Sequence, residues 1–220
     1  MSAFLAPIHS WVFNKIKLYE HLEKNLIDAF EDKFGSDIKT IVKSAQENYG
    51  LPLEDKPIED LIDLSNIHGW LQGRIDIAET RHAEILAKAF KKYGQEAVDI
   101  ALKVYEEQGA YCGNEAKSHF PIGTAPEIYK ALNNYLLEGM PCDLVNIVVK
   151  NEPDRVQWNN IRCLHRGYWE SVGADIETLY RLRHAWIKSF ITNANSDFTY
   201  RVTPSEFDGE PGFVNEIVKK

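Results

Sequence analysis

A cysteine and a histidine lie two residues apart where a predicted strand gives way to a predicted helix. Cys163 and His165 are flanked by the guanidinium groups of Arg162 and Arg166. A thiol close to a helix N-terminus and to cationic side chains ionises more readily, and the thiolate is the nucleophilic form of cysteine. The segment therefore predicts a nucleophile at Cys163, with His165 as a group that transfers protons.

The pairing of Cys163 with His165 depends on where the strand ends. Side chains two residues apart share one face of a strand, so the two groups meet only if the strand continues through residue 165. In the alternative interpretation, Cys163 is a core residue and His165 caps the following helix. On that helix, Tyr168 and Trp169 are predicted to contribute to substrate binding.

A third candidate catalytic residue, His184, lies on a later predicted helix. Tyr180 and His184 are four residues apart and share one face of that helix, beside Arg183. Arg183 is expected to receive a substrate carboxylate, because a guanidinium binds carboxylates in a bidentate way. The structural alternative is an ion pair between this arginine and an acidic neighbour such as Glu177.

Two His-x-Trp tripeptides suggest the walls of a small-ligand pocket. His9 and Trp11 open the first predicted helix, and His68 and Trp70 open a later one. Aromatic side chains with polar tips are common in such pockets. Arg74, one turn beyond Trp70, is a second candidate for binding a carboxylate. The alternatives are a helix cap at His9 and a surface ion pair at Arg74.

A metal site on the long helix is a further alternative. Glu79 and His82 are three residues apart, as in helix-borne carboxylate sites for two metal ions, although the sequence has no second Glu-x-x-His copy. An exposed pair of helix side chains is the simpler interpretation. The sequence thus predicts no metal ligand and no cofactor, and it leaves a divalent metal open.

The periodicity of apolar residues predicts the elements that must position these groups. Spacings of three and four residues predict helices over 8–34, 37–49, 67–93, 95–108 and 125–137, with an irregular segment over 109–123. Beyond Met140, β-branched runs predict strands over 142–150, 156–163, 197–202 and 212–218. Two helices, over 165–172 and 175–191, interrupt the strands.

These elements predict an α+β fold. The helical part, 1–140, is expected to pack with a small, mainly antiparallel sheet carrying two inserted helices in the mixed part, 141–220. The sequence shows no repeat and no sharp break in composition, so a single domain over 1–220 is predicted.

Composition limits the partners and the location. Acidic residues outnumber basic ones by 33 to 25, which disfavours nucleic acid and anionic membranes and leaves a small molecule as the expected partner. No segment reaches the length of a membrane span, and the start, Met1–Pro7, lacks a secretion signal, so a cytoplasmic protein is predicted. Association into a homo-oligomer is left open.

Two short strings resemble a known family. Ala78-Glu79-Thr80-Arg81-His82-Ala83-Glu84-Ile85-Leu86, followed by Lys91-Lys92-Tyr93-Gly94-Gln95-Glu96-Ala97, is similar to L-2-amino-thiazoline-4-carboxylate hydrolases. The order of elements after residue 140 is similar as well, so the resemblance extends over about residues 70–220.

The resemblance implies hydrolysis of a carbon–nitrogen bond in a small cyclic amidine that carries a carboxylate. In that reaction Cys163 would attack the ring carbon, His165 or His184 would transfer protons, and Arg74 or Arg183 would hold the carboxylate. Two other classes stay open: a non-catalytic small-molecule-binding or sensory protein, and a helical metal-dependent enzyme.

Overall fold

The computed structural model describes residues 5–220. The first four residues, part of the start predicted to lack a secretion signal, lie outside the described residues. In chain order the elements are α1 (Pro7–Phe34), α2 (Asp37–Tyr49), α3 (Ile67–Tyr93), α4 (Gln95–His119), α5 (Ala125–Leu132), β1 (Asn146–Glu152), β2 (Arg155–Asn160), α6 (Arg166–Ser171), α7 (Ile176–Ala194), β3 (Phe198–Phe207) and β4 (Glu210–Lys219).

Contacts divide the chain into two compact units. The first contains the chain up to Ile100 together with His165–Ile176, and the second contains Ala101–Leu164 with Glu177–Lys220. These boundaries differ from residue 140, where the predicted helical part gives way to the predicted mixed part. The single domain over 1–220 stays a prediction.

The first unit is built from α1, α2 and α3, with α6 packed against α3. Its core is aliphatic and aromatic, with Ile16 and Phe30 from α1 and Ile75 and Leu86 from α3 almost wholly buried. These side chains recur every three or four residues, so each long helix presents one apolar stripe to the others. The bounds predicted for α2 and α3 are confirmed.

The second unit contains a four-stranded sheet in the order β1-β2-β4-β3, and every neighbouring pair is antiparallel. Helix α5 packs on it, and Val156 and Ile217 in the two central strands are fully buried. The α+β class, with two helices inserted between the strand pairs, is confirmed.

Helix α4 runs through the segment predicted to be irregular. The segment predicted to be irregular begins at Gly109, and the structure uses Gly109 and Gly113 for a close approach to α7. A Cβ at Gly109 would lie 2.4 Å from the carbonyl oxygen of Trp186, and one at Gly113 would lie 2.3 Å from that of Phe190. Only glycine lets the two helices come this close, so here it indicates packing rather than a break.

Helix α5 ends at Leu132, earlier than predicted. The side-chain amide of Asn134 donates to the carbonyl oxygen of Lys130 at 3.0 Å, and such a bond competes with continuation of the helix. Within residues 5–220, no helix is long and apolar enough to cross a membrane.

Candidate functional site

A buried imidazole and a buried carboxylate meet where α6 packs on α3. His165 Nδ1 lies 2.9 Å from Oε1 of Glu79, and the two residues are 4% and 1% exposed. From α1, the hydroxyl of Tyr19 donates to Oε2 of the same carboxylate at 3.1 Å. Both carboxylate oxygens therefore have partners from other helices.

The local sequence explains how these groups reach the core. Glu79 lies four residues after Ile75 and three before His82, both buried, so its side chain shares their covered face of α3. His165 is the residue before α6, and its carbonyl oxygen accepts the N–H of Trp169 at 3.1 Å. That turn stacks the Trp169 ring on the imidazole, with centroids 5.5 Å apart.

A second buried imidazole, His82, lies one turn further along α3. Its ring contacts that of Tyr19, with centroids 4.7 Å apart. Burial lowers the pKa of His82 to about 4, against the opposing effect of Glu79, so the ring is neutral at pH 7. The interpretation of Glu79 and His82 as an exposed pair is wrong, because both lie on the covered stripe.

Toward the surface, a row of hydrogen bonds continues along α3. The hydroxyl of Tyr168 donates to Oδ1 of Asp76 at 2.6 Å, and the amide of Gln72 donates to the same oxygen at 2.8 Å. Burial and the neighbouring carboxylate raise the pKa of Tyr168, so it stays a hydrogen-bond donor. With His165, Tyr168 holds the short helix α6 on α3 at two polar points.

A buried ion-pair cluster lies on another side of α3. Arg81 is fully buried, with Nε 2.8 Å from Glu23 and a terminal nitrogen 2.9 Å from Glu20. Oε2 of Glu23 has no hydrogen-bond partner among residues 5–220. Burial raises the pKa of Glu23 to about 7 although Arg81 opposes the shift.

Arg74 belongs to the edge of this cluster. It donates to the carbonyl oxygen of Leu51 at 2.9 Å and lies 3.9 Å from Glu20. The acidic neighbour of Arg74 is thus the buried Glu20 rather than a partner at the surface. Its role in binding a carboxylate stays a prediction.

The two His-x-Trp tripeptides meet at the starts of α1 and α3. Nε2 of His9 and Nε2 of His68 are 3.2 Å apart, and the ring of Trp70 stacks on Phe13. Trp11 instead lies under the ammonium group of Lys15, 3.6 Å from its centroid. On α3, His68 and Glu79 are eleven residues apart, about 16 Å, so this pair and the Glu79–His165 pair are separate sites.

The geometry required for a Cys163–His165 pair does not form. Strand β2 ends at Asn160 and α6 begins at Arg166, so residues 163 and 165 do not share a strand face. Arg162 donates to the carbonyl oxygen of Asp143, and Arg166 pairs with Glu170. Cys163 is half-buried.

The remaining predicted residues lie in the second unit. Arg183 binds Glu138 at 2.6 Å, and His184 packs against Phe213 and Tyr180 with centroids 4.8 and 6.0 Å apart. Burial, assisted by the positive charge of Arg183, lowers the pKa of His184 to about 4. The catalytic roles proposed for Cys163, His165 and His184 stay predictions.

Several side chains of the buried sites were not predicted from the sequence. Tyr19, Glu20 and Glu23 interrupt the apolar stripe of α1 at spacings of three and four residues. Polar residues at positions of the apolar stripe are the sequence signal that could have identified these side chains as buried. Within the described part of the chain, no group of three or more His, Cys, Asp or Glu side chains could hold a metal ion.

Comparison with known proteins gives no family assignment. No family model and no curated protein matches this chain. A matching solved structure, described as "Probing the function of heme distortion in the H-NOX family", is 14% identical, with 91% of this chain and 94% of that chain covered and a TM-score of 0.47. A second, the Fe(II) unliganded H-NOX protein from K. algicida, is 10% identical, with 90% and 95% covered and a TM-score of 0.43.

These findings contradict the hydrolase resemblance. The matching structures are H-NOX proteins, so membership of the amino-thiazoline hydrolases and cleavage of a cyclic amidine are wrong predictions. The expected absence of a cofactor is contradicted too, because the two structures are described with haem and with Fe(II). The resemblance rested on short strings of an amphipathic helix, a pattern that unrelated helices share.

Proposed function

We propose that this chain is a non-catalytic module that binds a small molecule, with Glu79 and His165 as its polar centre. The observation that carries the proposal is the burial of a carboxylate–imidazole pair, with Tyr19, among apolar side chains. Burying such a pair costs folding free energy. Proteins commonly keep such unfavourable groups at sites that bind ligands.

The surroundings of the pair suit a flat ligand with polar groups. Trp169 supplies aromatic surface beside the imidazole and Tyr19 beside the carboxylate, and Tyr168 and Asp76 supply a donor and an acceptor at the outer end. Ligand sites combine apolar and aromatic walls with a few placed polar groups in this way.

Haem is one ligand to test. An imidazole whose Nδ1 is held by a carboxylate has the orientation and basicity typical of a metal-bound histidine, and histidine is a common axial ligand of haem iron. His165 has that arrangement. The H-NOX likenesses, at TM-scores below 0.5, place no cofactor site in this chain.

The test compares wild type with His165→Gln and with His119→Gln, which changes an exposed histidine in α4 in the same way. Each protein is titrated with haemin and screened by thermal melting against small heteroaromatic compounds, and every bound compound is then examined by mass spectrometry. We expect a ligand that raises the melting temperature of wild type and His119→Gln, fails to stabilise His165→Gln, and is recovered unchanged. Chemical conversion of the ligand, or equal binding by all three proteins, would contradict the proposal.

A further inference from the structure

The His9–His68 pair has a hydrogen-bond pattern that fixes the position of every ring proton. Nδ1 of His9 accepts the backbone N–H of Ala6 at 3.0 Å, so this nitrogen carries no proton. A neutral imidazole has one N–H, which must then be at Nε2 of His9. That N–H faces Nε2 of His68 at 3.2 Å, so His68 is the acceptor and carries its own proton at Nδ1.

From this pattern we propose that His9 and His68 form a pH-sensitive latch, which joins the start of α1 to the start of α3 while Nε2 of His68 accepts the N–H of His9, and which opens when His68 gains a proton. A proton on His68 would set two N–H groups against each other. A proton on His9 would set Nδ1–H against the Ala6 N–H and break the cap of α1, while its Nε2–H would still donate to His68. Histidine side chains commonly change charge between pH 8 and pH 5.

A metal ion bridging the pair is the competing interpretation, and the same hydrogen bond argues against it. The separation of 3.2 Å between the two Nε2 atoms would suit two ligands of one transition metal. Binding through Nε2 of His9 would move its proton to Nδ1, where it would oppose the N–H of Ala6. A metal bridge would break the hydrogen bond between Ala6 and His9, which the latch retains.

Three charged side chains of the neighbouring segments bind groups other than this pair. On α1, Lys15 lies over the ring of Trp11. Before α3, Asp63 accepts both the N–H and the hydroxyl of Ser65, and on α3 Arg74 donates to a backbone carbonyl. None of these contacts includes either imidazole, and the proton on Nε2 of His68 acts directly on the bond to His9.

The first experiment reads the ring protons by ¹⁵N NMR of wild type at pH 8. We expect a protonated Nε2 in His9 and a protonated Nδ1 in His68, with a cross-ring nuclear Overhauser effect that disappears at pH 5. Any other pair of tautomers, or an Overhauser effect that persists at pH 5, overturns the proposal. A spectrum that changes on addition of EDTA identifies a bridging metal and overturns it as well.

The second experiment measures amide hydrogen exchange over residues 5–13, relative to the unstructured chain at the same pH. Loss of the cross-ring bond on protonation of His68, and of the α1 cap on protonation of His9, should together lower protection roughly tenfold between pH 8 and pH 5 in wild type. The control His21→Gln, which changes an exposed histidine of α1, should behave like wild type. In the double variant His9→Gln/His68→Gln, protection should be equal at the two pH values, and a persisting tenfold drop rejects the latch.

Discussion

His165 Nδ1 lies 2.9 Å from Oε1 of Glu79, although the two residues are 86 positions apart in the chain. The contact joins α6 to α3 inside the first unit. It gives a short helix of six residues a buried polar attachment. This contact provides a direct test of how the unit is held together.

Replacing either partner of this pair should destabilise the protein. In Glu79→Gln and in His165→Gln a buried polar group loses its partner, which costs roughly 1–3 kcal/mol in the free energy of unfolding. Because the residues are in contact, the double variant should lose less than the sum of the single losses. Urea unfolding of the four proteins measures the coupling, with the exposed Glu59→Gln as control. Additive losses would show that the pair contributes no interaction energy.

The buried carboxyl of Glu23 should make stability depend on pH. Its pKa is raised from 4.5 to about 7, so the folded state retains a proton that the unfolded chain releases. The stabilising effect is fully present below pH 4.5 and is lost as pH rises to about 7. The variant Glu23→Gln has no titrating group at this position. Relative to it, wild type should lose up to roughly 3 kcal/mol of unfolding free energy as the pH rises through this range. Unfolding free energies of the two proteins at pH 5 and pH 7.5 provide the measurement, and parallel pH profiles would contradict it.

His82 should make stability depend on pH in the opposite direction. Its pKa is lowered from 6.5 to about 4. Between these pH values the unfolded chain binds a proton at His82 and the folded protein does not. Stability is fully present above pH 6.5 and is lost as pH falls toward 4. Relative to His82→Gln, wild type should lose up to roughly 3 kcal/mol on acidification. The same unfolding series, run from pH 7.5 to pH 4.5, decides the sign, and a wild type that gains relative stability at low pH would refute the assignment.

Two glycines within helices should respond oppositely to alanine. At Gly109 the added Cβ meets the carbonyl oxygen of Trp186 at 2.4 Å, and such overpacking costs roughly 1–3 kcal/mol. Gly73 in α3 has open space around the added Cβ. There alanine should stabilise by about 0.5–1 kcal/mol, since it has the higher helix propensity. Thermal and urea unfolding of Gly109→Ala and Gly73→Ala test the contrast, and equal effects would show that α4 and α7 can separate at no cost.

Much of the secondary structure followed from the sequence alone. The apolar periodicity of α1, α2 and α3 predicted their bounds to within a residue, and the β-branched runs after Met140 predicted the antiparallel sheet. These features are local: a helix or strand that buries one face must repeat apolar side chains at its own period. The α+β class follows from the order of those elements.

The partner of each buried polar group was decided only by the tertiary structure. Glu79 and His82 belong to the apolar stripe, but nothing in their spacing shows that α6 brings His165 to Glu79 or that Tyr19 lies beside both. Gly109 likewise favours a break when α4 is considered alone, and it favours a close helix contact once α7 lies against it. Periodicity reports which face of an element is covered, whereas the covering residue depends on packing between segments distant in the chain.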